Sequence, residues 1–233
     1  MLRRHRHPGL DGPVPTSLVG PRRRGARGGL GAEGGLPLGF TLAELLIALA
    51  IVGVLVALIV PALCHAAAIA NQTSCQNNLH QIGLVVHQYK CQYGVYPPAW
   101  QNEKCRWMDL LKPYLDKKCY VYRCPADRQQ IPVAWDPEIV LSYGMNCFNF
   151  AGPQYCFWYG VVATDVKRTS RVILIADCTP GKYYCGGGKK FKEPVTDVDY
   201  RHASGAFCAL FCDGHAEALT TTTQNDWDAS LRN

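Results

Sequence analysis

A long apolar run near the N-terminus constrains this chain more than any other feature of its sequence. No side chain from Leu45 to Val60 is polar. At a rise of about 1.5 Å per residue, a helix of some twenty residues spans the roughly 30 Å hydrocarbon core of a bilayer. The run therefore predicts a transmembrane helix over residues 40–64.

The segment before this helix, residues 1–39, is basic and rich in Gly and Pro. It carries seven arginines against two acidic residues and shows no apolar periodicity, so we expect it not to pack. It also supplies most of the formal charge of +6, and the near-neutral remainder predicts no nucleic-acid partner. Because basic residues precede the apolar run, the positive-inside rule predicts a single-pass protein whose head, residues 91–233, is extracytoplasmic.

Glu44 is an acidic residue at the start of the predicted membrane helix. A carboxylate is costly to bury there, which favours a functional role with a specific partner. The alternative is structural, because Thr41 and Glu44 have the Thr-x-x-Glu spacing of a capping box. Both roles are compatible with the sequence.

The residues around Glu44, Gly39-Phe40-Thr41-Leu42-Ala43-Glu44-Leu45-Leu46, resemble the cleavage and methylation motif of type IV prepilins and type II secretion pseudopilins. The resemblance implies that a prepilin peptidase removes residues 1–39 by cutting between Gly39 and Phe40, and that it methylates the new N-terminus. It also implies that Glu44 neutralises the Phe40 amine of a neighbouring subunit in a filament, where a low dielectric strengthens the pair. The leader is long for this family, which leaves the cleavage site unaffected.

The segment after the membrane helix predicts a helical continuation over residues 65–90. Four apolar residues recur there at helical spacing: Leu79, Ile82, Val86 and Tyr89. The stretch 75–98 resembles pseudopilin-like proteins whose C-terminus carries a processing-associated H-x9-DG motif. The resemblance implies the pilin fold, an α+β arrangement in which a long N-terminal helix, transmembrane and then amphipathic, packs on a small antiparallel-sheet head. It further implies an inner-membrane protein with a periplasmic head, whose partners are the prepilin peptidase, other pilin-like subunits and the membrane.

In the head, the pattern changes to short elements. Leu110–Leu115 predicts a short helix, and Cys124–Asp127 predicts a turn. Three segments predict strands, at Tyr120–Arg123, Leu141–Gly144 and Val172–Ala176.

The C-terminal part of the head contains the counterpart of the family's C-terminal motif, His202, Asp213 and Gly214. The apolar run Ala206–Cys212 predicts a buried strand, Asp213-Gly214 predicts a type I′ hairpin turn, and 215–220 predicts the returning strand. His202 and Asp213 form an ion pair or part of a site on one interpretation, and on the other they only hold the turn in place. Ten residues separate them where the family has nine, so either a bulge absorbs the extra residue or His202 has left the family's position.

Twelve cysteines are a high number for a chain of this length. With the head outside the cytoplasm, the eleven that come after Cys64 predict a disulfide framework, whose connectivity the sequence leaves open. Zinc binding is the alternative, and the absence of any Cys-x-x-Cys pair disfavours it, so we expect no metal and no cofactor. Asp197 and Asp199 are a weak signal for calcium.

We expect no catalytic residues. Cys178 and His202 are conceivable as a nucleophile and its base, but no catalytic motif accompanies them. A secreted, disulfide-rich binding module is the alternative function. Ordinary signal peptidase would release such a module near Ala66-Ala67-Ala68.

Overall fold

A computed structural model describes residues 39–103, 105–115, 119–148, 152–186 and 197–231. The predicted leader lies outside these residues, apart from Gly39. Contacts divide the chain into two compact units, Met1–Ile47 and Ala48–Asn233. The first contains the start of the long helix, and the second contains the rest of that helix and all of the strands.

The long helix, α1, extends over Leu42–Tyr93 and passes through Pro61 without a break. Every side chain from residue 42 to residue 67 is exposed. Among the described residues, α1 is the one helix long and apolar enough to cross a membrane. The long N-terminal helix of the predicted fold is present, and it ends at Tyr93.

The second half of α1 buries one face in the head. Its buried residues keep the helical repeat that the sequence predicted: Cys75, Leu79, Ile82, Gly83, Val85 and Val86. At Gly83 a Cβ atom would lie 2.8 Å from Leu210 Cδ1 and 3.2 Å from the carbonyl oxygen of Gly214. Only glycine lets α1 approach the sheet this closely.

The main sheet has five strands in the order β7-β5-β6-β8-β9. They are β5 (Tyr143–Asn146), β6 (Ile173–Asp177), β7 (Tyr184–Cys185), β8 (Phe207–Phe211) and β9 (Ala216–Leu219). All neighbours are antiparallel except β5 and β7, which are parallel. The predicted α+β fold, a long apolar helix followed by small antiparallel sheets, is confirmed.

Smaller elements complete the head before this sheet. They are β1 (Trp100–Asn102), β2 (Cys105–Arg106), α2 (Trp107–Leu111), a 3₁₀ turn at Lys112–Tyr114, β3 (Pro132–Val133) and β4 (Asp136–Val140). The short helix predicted at Leu110–Leu115 begins earlier, at Trp107, and its predicted second half is the 3₁₀ turn. The predicted turn at Cys124–Asp127 is present, because Asp127 N donates to Cys124 O at 3.0 Å.

One predicted strand is wrong. Residues 120–123 lie largely in a 3₁₀ helix, Cys119–Tyr122. Val121 and Tyr122 are both buried, whereas consecutive residues of a strand point to opposite faces. The other two strands exist, but the one predicted at Leu141–Gly144 begins two residues later, at Tyr143.

The hairpin between β8 and β9 is present, but its turn differs from the predicted type. Gly214 has φ of +98°, whereas Asp213 does not have a positive φ. Gly214 N donates to Phe211 O, and Phe211 N donates to His215 O. This is a three-residue connection, in which a tight turn at Cys212 and Asp213 is followed by a left-handed glycine.

Candidate functional site

At the start of α1, Glu44 forms the predicted capping box with Thr41. The Thr41 backbone N–H donates to Glu44 Oε2 at 2.8 Å, and the Glu44 N–H donates to Thr41 Oγ1 at 3.2 Å. Gly39 and Phe40 precede the helix, and Phe40 is 90% exposed. The structural role of Glu44 is thus confirmed, and the bond between Gly39 and Phe40 lies in non-helical, exposed chain.

In the head, His202 is not paired with Asp213. Its Nε2 lies 2.9 Å from Asp177 Oδ2, and both side chains are fully buried. Asp213 is partly exposed and instead contacts His215 Nδ1 at 2.6 Å. The ion pair considered for the two motif residues is therefore wrong.

The turn at Asp213 and Gly214 has a packing role. The carbonyl oxygen of Gly214 lies 3.2 Å from His80 Nδ1 on α1, and Gly83 faces the same turn. The extra residue between His202 and Asp213 is not absorbed by a bulge in β8, because β8 pairs regularly with β9. The bulge in this part of the sheet lies in β6, between Ile173 and Ile175.

Asp177 is the centre of a buried polar cluster between α1 and the sheet. Cys75 Sγ on α1 lies 3.6 Å from Asp177 Oδ2, and the backbone N–H of Cys208 donates to the same oxygen at 2.7 Å. Cys124 Sγ lies 3.4 Å from His202 Nε2. Three thiols thus surround one carboxylate and one imidazole.

Strand geometry explains why these side chains meet. Along β8, Cys208 and Leu210 belong to the core on the α1 side, whereas Phe207 and Ala209 belong to the core on the opposite face. Asp177 ends β6 on the α1 side, next to Cys75. One turn of the helix and two neighbouring strands therefore converge on the same point.

Arg201 adds a buried positive charge beside the cluster. Its side chain is 6% exposed and lies 3.2 Å from Asp127 Oδ2, 3.8 Å from Asp177 Oδ1 and 2.9 Å from Asp199 Oδ2. Ser142 Oγ also donates to Asp127 at 2.7 Å. Buried charges are tolerated when they are paired in this way.

The surroundings shift the pKa values of several of these groups. Burial alone would lower the pKa of His202, but the hydrogen bond and the charge of Asp177, together with the hydrogen bond to Cys124, raise it to about 9. Burial raises the pKa of the Cys75 thiol. The hydrogen bond with Cys75, together with burial, raises the pKa of the Cys124 thiol. At neutral pH the cluster therefore contains an imidazolium–carboxylate pair beside protonated Cys75 and Cys124 thiols.

A cleft of about 220 Å³ adjoins this cluster at His202. It lies between α1 and the Cys124–Asp127 turn, and its lining includes Ala68, Asn71, Arg201 and His202. His202 Nδ1 is buried and has no hydrogen-bond partner among the described residues.

Other sequence-based candidates have separate environments. Cys178 Sγ donates to Tyr184 O at 3.2 Å, whereas the thiol beside His202 is that of Cys124. Asp197 and Asp199, the weak calcium signal, each lie next to a basic side chain, Lys182 and Arg201 respectively. The eleven cysteines whose side chains the structure describes are free thiols, so the predicted disulfide framework is not confirmed.

The sequence did not identify Asp177 or Cys75 as members of a site. Asp177 is 102 residues from Cys75 and 31 from Cys208, so no local spacing connects them. The available signal was an acidic residue at the end of a wholly apolar strand, where burial of the strand forces the carboxylate to find partners.

Comparison with known proteins gives one partial match. Residues 68–121, less than a quarter of the chain, match a family model described as SBP_bac_10, a protein of unknown function (DUF1559). No curated protein and no solved structure matches the chain significantly. The matched residues include the buried half of α1 and the first elements of the head.

Proposed function

We propose that this protein is a membrane-anchored, pilin-like or pseudopilin-like structural subunit without catalytic activity. It is processed by prepilin peptidase and assembles through its N-terminal helix in a type II secretion or type IV pilus-like system. Its helix crosses the inner membrane once, and its head lies in the periplasm. Its partners are the peptidase, other pilin-like subunits and the lipid bilayer.

One observation carries this proposal, the different environments of the two halves of α1. The side chains of residues 42–67 are exposed and almost entirely apolar, whereas a stripe from Cys75 to Val86 is buried in the head. Exposed apolar surface of this extent needs lipid or other helices to cover it. The family match on residues 68–121 adds support, because it coincides with the helix segment on which the resemblance to pseudopilin-like proteins rests.

Glu44 links this anchor to assembly. Both hydrogen bonds that its carboxylate accepts from Thr41 end on Oε2. A second carboxylate oxygen, Oε1, can then accept the Phe40 amine of a neighbouring subunit. Such a pair is strong in lipid, and removing one partner leaves the other charge uncompensated at a cost of several kcal/mol.

The test compares Glu44→Ala with Glu44→Gln in the native host. Glutamine keeps the capping box but lacks the charge, so it separates the two roles of Glu44. A photo-crosslinking amino acid at the exposed position Ile51 reports contact between subunits in the membrane. Cysteine crosslinking is unsuitable because the chain has twelve cysteines.

We expect both variants to stay in the membrane with a folded head and to lose most subunit crosslinking. If Glu44→Gln crosslinks like the wild type, the charge has no role in assembly. Glu44 would then be a helix cap only, worth about 1 kcal/mol.

A further inference from the structure

The buried cluster around Asp177 has a composition and geometry that the structural-subunit proposal does not use. Its four polar side chains come from α1, β6, β8 and the loop before β8. Their ligand atoms all lie within 4.8 Å of one another, and all four residues are buried. We propose that Cys75, Asp177, His202 and Cys208 bind one zinc ion.

The distances between Cys75 and Asp177 suit a tetrahedral ion, and the Cys208 thiol lies within 4.8 Å of the other three ligand atoms. Zinc bonds of about 2.3 Å to sulfur and 2.0–2.2 Å to nitrogen and oxygen place neighbouring ligand atoms roughly 3.3–3.8 Å apart. Cys75 Sγ lies 3.7 and 3.6 Å from the two oxygens of Asp177. His202 Nε2 is closer to Asp177 Oδ2, at 2.9 Å, because the two atoms share a proton. Replacing that proton with zinc requires them to separate by about 0.4 Å.

The donor set selects zinc. Two soft sulfur ligands and one borderline imidazole accompany a single hard carboxylate, and a set with so few oxygen ligands disfavours magnesium and calcium. Four protein ligands fill a tetrahedral shell, so the ion has a structural role, joining α1 to β6 and β8. The two thiols and His202 Nε2 each release a proton to solvent when they bind the metal, which leaves the imidazole neutral.

Charge and surrounding hydrogen bonds support this assignment. Two thiolates and a carboxylate carry −3, and the ion reduces this to −1. The Arg201 guanidinium, which also faces Asp127 and Asp199, lies 3.8 Å from Asp177 Oδ1 and offsets part of the remaining charge. Tyr143 Oη donates to Cys75 Sγ at 3.4 Å, and the Cys208 N–H donates to Asp177 Oδ2. Such outer contacts orient metal ligands.

A cleft lies next to the ligand set and is lined by His202, Arg201, Ala68 and Asn71, although the His202 side chain itself is fully buried. Cys124 is a neighbour of the ligand set and not a member of it. Its Sγ contacts two of the ligand side chains, His202 at Nε2 and Cys75 at its thiol.

The experiment uses the full-length chain, purified in detergent under reducing conditions. Zinc content is measured by inductively coupled plasma mass spectrometry after dialysis against zinc. Cobalt titration then reports thiolate ligation through its charge-transfer absorption. The wild type should bind one ion per chain with a cobalt–thiolate band, and Cys208→Ser should lower the affinity at least tenfold. Cys91→Ser, which changes an exposed cysteine outside the cluster, should bind like the wild type.

Three results would overturn the proposal. One is wild-type protein that holds no zinc and gives no cobalt–thiolate band, which is decisive even if Cys208→Ser does not fold. Another is an equal loss of binding in Cys91→Ser. The third is a disulfide between Cys75 and Cys208 in protein isolated without reductant. None of these results bears on processing or assembly, which the proposed function concerns.

Discussion

His202 and Asp177 form a fully buried ion pair, with 2.9 Å between Nε2 and Oδ2. The pair connects the C-terminal motif to the end of β6, not to the hairpin turn at Asp213. His202 therefore belongs to the interior of the head, and Asp213 to its surface. The carboxylate of Asp177 is likewise buried, whereas that of Asp213 is partly exposed. Removing the charge of Asp177 should therefore change the stability of the head far more than removing that of Asp213.

Asp177→Asn should destabilise the head strongly. It removes the carboxylate that faces Arg201 and His202, and loss of one partner of a buried pair costs about 3–5 kcal/mol. The free energy of unfolding can be measured by urea denaturation of the full chain in detergent, followed by tryptophan fluorescence. A chelator in all samples removes any contribution from bound metal.

Asp213→Asn is the matched control. Asp213 is partly exposed and contacts His215, and exposed ion pairs contribute only about 0–1 kcal/mol. Equal losses of stability in the two variants would contradict the assignment of Asp177 as the centre of the buried network.

Gly83→Ala should weaken the contact between α1 and the sheet. The added methyl group would lie 2.8 Å from Leu210 Cδ1 and 3.2 Å from Gly214 O. Overpacking costs about 1–3 kcal/mol, and the gain of about 1 kcal/mol from replacing glycine in a helix offsets part of that cost. The same urea denaturation should therefore show a net loss of up to about 2 kcal/mol.

Gly53→Ala provides the comparison within the same helix. No atom lies within 4 Å of a Cβ at Gly53. Unfolding of the head should be unchanged in this variant. A head that is as stable in Gly83→Ala as in Gly53→Ala would mean that α1 does not approach the hairpin as closely as described.

Several head cysteines should be oxidised in the native protein, because they are numerous and the head is predicted to be extracytoplasmic. Cys178 and Cys185 are suitable partners, since their side chains are in contact. Alkylation followed by intact-mass measurement, before and after reduction, counts the oxidised residues. Eleven freely alkylated head thiols would refute the disulfide prediction.

The parts of the fold that the sequence predicted are those set by periodic patterns. The apolar residues from Leu79 to Val86 recur at the spacing of a helix. The apolar runs of β6 and β8 are long enough to define buried strands. Residues 120–123 were mistaken for a strand because Tyr and Val favour strands in general. Here tertiary packing buries Val121 and Tyr122 together, which a 3₁₀ turn permits.

The buried cluster around Asp177 could not be predicted, because no local sequence pattern connects its members. Cys75, Asp177 and Cys208 are far apart in sequence, and only the order of the strands and the position of α1 bring them together. The capping box at Glu44 was predictable because it depends on two residues three positions apart. Local geometry can be read from sequence spacing, whereas a site built by topology cannot.

The mature N-terminus distinguishes processing by prepilin peptidase from release by ordinary signal peptidase. Protein isolated from membranes of its native host can be analysed by N-terminal sequencing and by mass spectrometry of the N-terminal peptide. We expect N-methylated Phe40 as the first residue, because Gly39 and Phe40 lie in exposed chain before α1. A chain beginning at Ile69, after Ala66-Ala67-Ala68, would contradict it and would indicate a module released by ordinary signal peptidase.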